Sequence, residues 1–177
     1  MKILEVGFGT GLNCLLAADL AVTSQCRVHY TGLESQLISA ADFSALDHAS
    51  WLAHPDCAAP LHTALAAAES RTSGAVSARC GALDVRLLLG DADTTAWHYQ
   101  RYDVVFHDAF SPATSPSLWR DSFLERLTQC LAPGGVLVTY CAKGRVRRAF
   151  EATGCQVERL PGPPGKREML RISPPVT

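Results

Sequence analysis

Gly7, Gly9 and Gly11 alternate with other residues directly after the apolar run at residues 3–6, with Glu5 before them and Asn13 after. Glycine lets the backbone turn tightly and lets a ligand approach it without an intervening side chain. Leu12 stands where the G-x-G-x-x-G fingerprint has its last glycine, which argues against the pyrophosphate of a nicotinamide or flavin dinucleotide. S-adenosylmethionine carries no phosphate, and its methionine end can lie along such a loop. Glu34 closes a second strand-like run a little over ~20 residues further on, where an acid accepts both ribose hydroxyls. Asp91 closes a third run and is placed to receive the adenine amino group. Acids at strand ends also form turns and caps, so the weight lies in three such features following in order. The cofactor set read from this pattern is Glu5, Gly7, Gly9, Gly11, Asn13, Glu34 and Asp91.

Asp108 leaves a fourth run, followed by Phe110 and Pro112, an aromatic wall and a stiffened loop. In open α/β sheets ligands lie outside the carboxyl ends of the strands. Methyl transfer to an amine needs the nitrogen lone pair free and aimed at the methyl. A carboxylate there orients the amine and takes its proton. The plainer role for Asp108 is to cap the following helix, a task that Ser115 or Ser117 can also perform. Lys143, Arg145, Arg147 and Arg148 crowd the start of one helix, and Lys166, Arg167 and Arg171 lie near the end of the chain. Opposed on one rim they grip phosphates, and scattered they form a solvated face. Trp51, Trp97 and Trp119 read as core or groove fillers.

The elements that must position these residues alternate. Strand-like runs at 3–6, 27–33, 85–89, 102–106, 136–140, 155–160 and 168–172 are interleaved with helical patterns at 12–21, 40–52, 60–69, 117–131 and 145–152. Leu12, Leu15, Leu16 and Leu20 read as one apolar face of the first helix, and residues 70–78 read as a loose connection. Pro133-Gly134-Gly135 reads as a break between helix and strand. The last two strands are separated only by residues 161–167, too few for a parallel crossover, so they must be antiparallel if they pair. The expected fold is α/β, a Rossmann-like class I methyltransferase with a mainly parallel seven-stranded sheet and an antiparallel C-terminal hairpin.

Composition sets outer limits. Of 177 residues, 47% are hydrophobic and 19% charged, with a net charge of -1, so no global attraction to nucleic acid exists. No apolar run approaches the ~20 residues needed to span a bilayer, and the start has no secretory signal. The seven cysteines are odd in number and lack C-x-x-C spacing, and His29, His48, His54, His62, His98 and His107 form no cluster with them. Free thiols in a reducing cytoplasm, without membrane or metal, follow.

The motifs then resemble the MnmC-type tRNA methyltransferases. The resemblance runs through Val6-Gly7-Phe8-Gly9-Thr10-Gly11-Leu12-Asn13, Asp108-Ala109-Phe110-Ser111-Pro112, Pro116-x-x-Trp119 and Leu131-Ala132-Pro133-Gly134-Gly135. It closes on Thr139 to Arg148 and on Gly165-Lys166-Arg167-Glu168-Met169. It implies methylation of 5-aminomethyl-(2-thio)uridine to its 5-methylaminomethyl form at the tRNA wobble position. Asp108 is then the catalytic acid. Phe110, Pro112, Lys143, Arg147, Arg148, Lys166 and Arg167 are then on the tRNA side. Fused members of that family also carry a flavin-dependent oxidoreductase domain, and members usually have several dozen residues before the glycine loop. The reading here is one methyltransferase domain over residues 1–177 without that leader and without flavin, the upstream oxidation falling to a separate oxidoreductase. Two alternatives stay open. One is a transferase acting on a small free amine, such as an aminopropyltransferase, which calls for an acidic pocket. The other is a module that binds cofactor or RNA without turnover.

Overall fold

The computed structural model describes residues 1–97, 100–162, 165 and 167–175. His98 and Lys166 lie outside the described residues. The chain divides into two compact units, Met1–Thr95 and Ala96–Thr177.

Unit 1 carries β1 (Lys2–Val6), α1 (Leu12–Thr23), β2 (Val28–Glu34), α2 (Ala40–Ala45), α3 (Ala58–Ala66), β3 (Gly74–Cys80) and β4 (Leu83–Leu89). Its strands lie in the order β3-β4-β2-β1. β1 and β2 are parallel, with Val6 opposite Leu33, and β2 and β4 are parallel, with Glu34 opposite Leu89. Helical crossovers make this pairing possible, and they bring the carboxyl ends of the three strands to one side.

β3 is the departure from expectation, since residues 70–78 read as a loose connection. Here Gly74–Cys80 runs antiparallel to β4, with Cys80 opposite Leu83. Gly81, at φ +59, supplies the positive φ that a two-residue hairpin turn needs at its first position. The strand is hard to read because its small residues carry little β propensity, and its alternation of buried Val76, half-buried Ala78 and buried Cys80 with exposed Ser77 and Arg79 is weak. Among the described residues it makes eight strands where seven are expected.

The helices are also shorter than the patterns suggested. Residues 40–52 give α2 followed by a 3-10 turn, His48–Trp51, because Asp47 adopts a left-handed conformation at φ +48. In α1 the buried face is Cys14, Leu15, Ala18 and Ala21, while Leu16 and Leu20 are exposed. Counting only leucines misplaced that face, because small residues fill the close packing.

Unit 2 carries β5 (Tyr102–His107), α4 (Asp121–Gln129), β6 (Leu131–Thr139), α5 (Gly144–Ala152), β7 (Gln156–Pro161) and β8 (Glu168–Ser173), in the order β5-β6-β8-β7. β5 and β6 are parallel; β8 runs antiparallel to both β6 and β7, so the expected C-terminal hairpin is present. Residues 117–131 divide into a 3-10 turn at Pro116–Trp119, then α4, then the start of β6. Pro133-Gly134-Gly135 does not precede the strand. It lies within β6, where the register with β5 shifts between Tyr102 and Val104. Trp97, Tyr102, Trp119, Phe123 and Phe150 fill the core of this unit. No described helix is long and apolar enough to cross a membrane.

The register shift demands glycine. A Cβ on Gly135 would stand 2.8 Å from the Tyr102 carbonyl oxygen and 3.0 Å from that of Ala132, both backbone atoms that cannot move aside. Gly135→Ala is therefore expected to cost about 3 kcal/mol or more, read as a lowered urea midpoint. An unchanged midpoint would show that the β5–β6 register can relax.

Candidate functional site

In unit 1 the glycine loop is tied to the end of β2. The Gly7 and Phe8 N–H groups both donate to the Leu33 carbonyl, at 3.0 and 3.2 Å. Gly7, Gly9 and Gly11 all have positive φ, at 89°, 54° and 77°. Their reasons differ. A Cβ on Gly11 would meet the Phe8 ring at 3.0 Å and Phe43 at 3.4 Å, so internal packing requires that glycine. A Cβ on Gly9 would find nothing nearer than the Gly7 carbonyl at 4.0 Å, so this side of the loop is open.

Glu34 is held at the loop. Its Oε2 accepts from the Gly9 N–H at 3.0 Å and its Oε1 from the Gln36 N–H at 3.0 Å. The Gly90 N–H in turn donates to the Glu34 carbonyl at 2.9 Å, which sets Asp91 beside the same strand ends. Asp91 Oδ1 accepts from the Asp93 N–H at 2.8 Å, and the Thr94 and Thr95 N–H groups close a turn on the Asp91 carbonyl. Glu5 is placed differently. It is 1% exposed, and it accepts from Asn13 Nδ2 at 2.7 Å and from the Tyr30 hydroxyl. Glu5 and Asn13 thus tie β1, α1 and β2 together below the loop.

These residues fit S-adenosylmethionine on the chemistry of the donor set. An exposed glycine turn flanked by two carboxylates suits a cationic ligand with a diol and an amine. It opposes a ligand that presents phosphates.

In unit 2, β5 delivers Asp108 to an exposed loop whose backbone is clamped. The Tyr140 hydroxyl donates to the Ala109 carbonyl at 2.9 Å, and Trp119 Nε1 donates to the Phe110 carbonyl at 2.6 Å. The Thr114 and Ser115 N–H groups close a turn on the Ser111 carbonyl, at 2.8 and 2.9 Å. Burial raises the Tyr140 phenol, with the Cys141 and Asp108 charges adding to it, so Tyr140 stays a hydrogen-bond donor. The Phe110 ring is 76% exposed, and Pro112 is half-buried. Neither Ser115 nor Ser117 caps α4, whose N-cap position is Arg120. Tyr140 and Trp119 join the site only through the fold; their sequence signal lies in the motif blocks Pro116-x-x-Trp119 and Thr139-Tyr140.

The basic cluster is more neutralised than its spacing suggested. Arg147 pairs with Glu151, Arg145 with Asp121 and Arg171 with Glu158. Lys143, Arg148 and Arg167 are exposed. All seven cysteines are free thiols.

A family model described as S-adenosyl-L-methionine-dependent methyltransferase matches residues 56–174. The chain belongs to that family. The bifunctional protein MnmC of tRNA 5-methylaminomethyl-2-thiouridine biosynthesis from Aromatoleum aromaticum is 38% identical over 96% of the chain, and the match takes in 27% of that protein. The namesake from Stutzerimonas stutzeri is 33% identical over 94% of the chain and 26% of its own length. The chain thus spans about a quarter of the curated relatives it matches. The crystal structure of MNMC2 from Aquifex aeolicus is 27% identical and covers 100% of this chain and 56% of that one, with a TM-score of 0.70. The antibiotic-resistance methyltransferase Kmr, 13% identical, covers 98% of this chain and 86% of its own at a TM-score of 0.55, and shares the fold. That fold is the Rossmann-like class I methyltransferase architecture expected of the strand pattern.

His107 is the buried partner of the clamp. It packs on Trp119 with ring centroids 4.2 Å apart, and neither ring nitrogen makes a hydrogen bond of ordinary geometry. Burial pushes its pKa down to about 3, against a small opposing effect of the Leu118 backbone. An unfolded histidine titrates near ~6.5. Below that pH the unfolded chain takes up a proton that folded His107 refuses, so stability falls by about 1.4 kcal/mol per pH unit until about pH 3. Between about pH 7 and about pH 5 the melting temperature of wild type should therefore drop more than that of His107→Gln. Equal drops would mean that His107 titrates normally in the fold.

Proposed function

We propose that this chain methylates the exocyclic amine of 5-aminomethyl-(2-thio)uridine at the tRNA wobble position, using S-adenosylmethionine. The observation that carries the reading is Asp108, an exposed carboxylate next to the exposed Phe110 ring on a loop clamped by Tyr140 and Trp119. The names of the MnmC relatives support the same substrate.

Gly7, Gly9, Gly11, Glu34 and Asp91 hold the cofactor, with Glu5 and Asn13 fixing the loop from beneath. Glu34 offers its carboxylate to the ribose diol, and Asp91 faces the adenine amine. When bound, S-adenosylmethionine supplies the methyl group, which passes to nitrogen as its bond to sulfur breaks.

Asp108 orients the amine and accepts the proton that the nitrogen releases. Because Asp108 is exposed, that proton exchanges directly with solvent. Phe110 offers a π-face to the uracil ring and Pro112 stiffens the loop, while Lys143, Arg147, Arg148, Lys166 and Arg167 meet phosphates. The free amine is produced upstream by a separate oxidoreductase, and the chain acts in the cytoplasm as a methyltransferase domain. The basic residues favour this reading over a transferase for free polyamines, which would need a surplus of acids at the amine site.

Three measurements test it. Glu34→Ala should weaken S-adenosylmethionine binding in calorimetry; equal affinity would remove Glu34 from the cofactor site. Asp108→Ala should slow methyl transfer by about a hundredfold or more while sparing cofactor affinity. Labelled cofactor should transfer its methyl to tRNA that lacks the terminal methyl, and a chain that binds cofactor but labels no such tRNA refutes the substrate.

A further inference from the structure

One face of the unit 1 sheet carries an unusual row of charge. Strand register places Lys2 beside His29, His29 beside Asp84, and Asp84 beside Arg79, so one residue from each of β1, β2, β4 and β3 stands in line. Neighbouring strands lie ~4.8 Å apart, so this row spans roughly 14 Å. Asp84 is the only acid in it. Its carboxylate meets Arg79 at 2.7 Å, Arg27 at 3.2 Å and His29 at 3.6 Å. In the next row on the same face, Thr31 stands beside Arg86 and Arg86 beside Ser77. Arg86 is exposed and has no ion-pair partner among the described residues.

The opposite face bears Cys80, which lies against Leu61 of α3, so side-chain alternation turns the charged rows away from that helix. Parallel strands ordinarily have both faces covered by apolar packing. Here Arg27 and Arg79 are more than half exposed, and Thr31 and Ser77 flank Arg86, while Leu4, which completes that row on β1, is buried. Exposed ion pairs of this kind contribute little to stability. Arg27 and Arg79 on the one carboxylate, with Arg86 beyond them, also leave the face with surplus positive charge. It lacks the exposed aromatic and aliphatic anchors of a protein interface. A flat row of guanidinium groups with small hydroxyl neighbours instead matches a chain of phosphates.

We propose that Arg27, Arg79 and Arg86 on this face form a contact surface for the phosphate backbone of the tRNA substrate, an inference that rests on the tRNA reading above. The surface belongs to unit 1 and is built from residues other than the Lys-Arg cluster of unit 2, in which Arg145, Arg147 and Arg171 are ion-paired. It contacts backbone and not bases, so it adds affinity without choosing a sequence.

The test measures binding of tRNA lacking the terminal methyl to the intact chain across a range of salt. An Arg79→Ala/Arg86→Ala double variant should weaken binding about tenfold or more near ~0.1 M salt and lower the salt slope by about two. S-adenosylmethionine affinity and melting temperature should be unchanged. Asp84→Asn removes the neutralising acid and should tighten tRNA binding. A purely structural ion ladder would instead lower the melting temperature and leave tRNA affinity alone, which overturns the surface. If wild type methylates tRNA and the double variant matches it in affinity and slope, this surface fails while the substrate reading stands. If wild type binds cofactor but no tRNA, both fail.

Discussion

The pairing of the glycine loop with the end of β2 is the constraint on which the candidate site of unit 1 depends. Two successive N–H groups, from Gly7 and Phe8, converge on the Leu33 carbonyl, and the next open N–H, that of Gly9, meets the Glu34 carboxylate. A side chain at these positions would oppose the positive φ that this convergence requires. β4 enters the same scheme through the Gly90 N–H on the Glu34 carbonyl. The loop, Glu34 and the segment that carries Asp91 are thus joined by backbone bonds, so their relative positions do not rest on side-chain packing alone. Beneath them, buried Glu5 joins Asn13 and Tyr30 and ties the first helix to two strands.

The Asp108 loop solves the same problem by another route. No glycine-rich turn holds it. Two aromatic side chains each donate one hydrogen bond to successive carbonyls, those of Ala109 and Phe110. Indole and phenol suit this task because each has a large apolar body for the core and a single polar tip. The tip fixes the backbone while the ring packs, and for Trp119 the packing partner is a histidine that burial keeps neutral. Asp108 and Phe110 therefore stay exposed on a loop whose path is set from below.

Much of the candidate site in unit 1 was legible in the sequence as a loop and strand ends, because backbone chemistry there leaves a direct trace in residue type. Glycines mark the loop, and acids mark the strand ends. What escaped was set by tertiary pairing. Gly74–Cys80 becomes a strand only because β4 lies beside it, and its own residues barely alternate. The buried face of α1 does not follow its leucines, because Cys14, Ala18 and Ala21, not Leu16 and Leu20, supply the close contact. The basic cluster was overcounted because Glu151, Asp121 and Glu158 reach its arginines across a helix turn, from another helix and from a neighbouring strand. Spacing along the chain cannot show such partners.

β7, the outermost strand of unit 2, has a consequence for how copies of this chain behave together. An uncovered strand edge offers unpaired backbone groups to any similar edge, the first step of sheet-to-sheet aggregation. Gln156, Glu158, Arg159 and Pro161 are all exposed along this strand. Proline has no N–H to offer a ladder, and the alternating charges make a closely matched copy repel as often as it attracts. The terminal hairpin thus ends this strand order in a way that discourages its extension by a second copy.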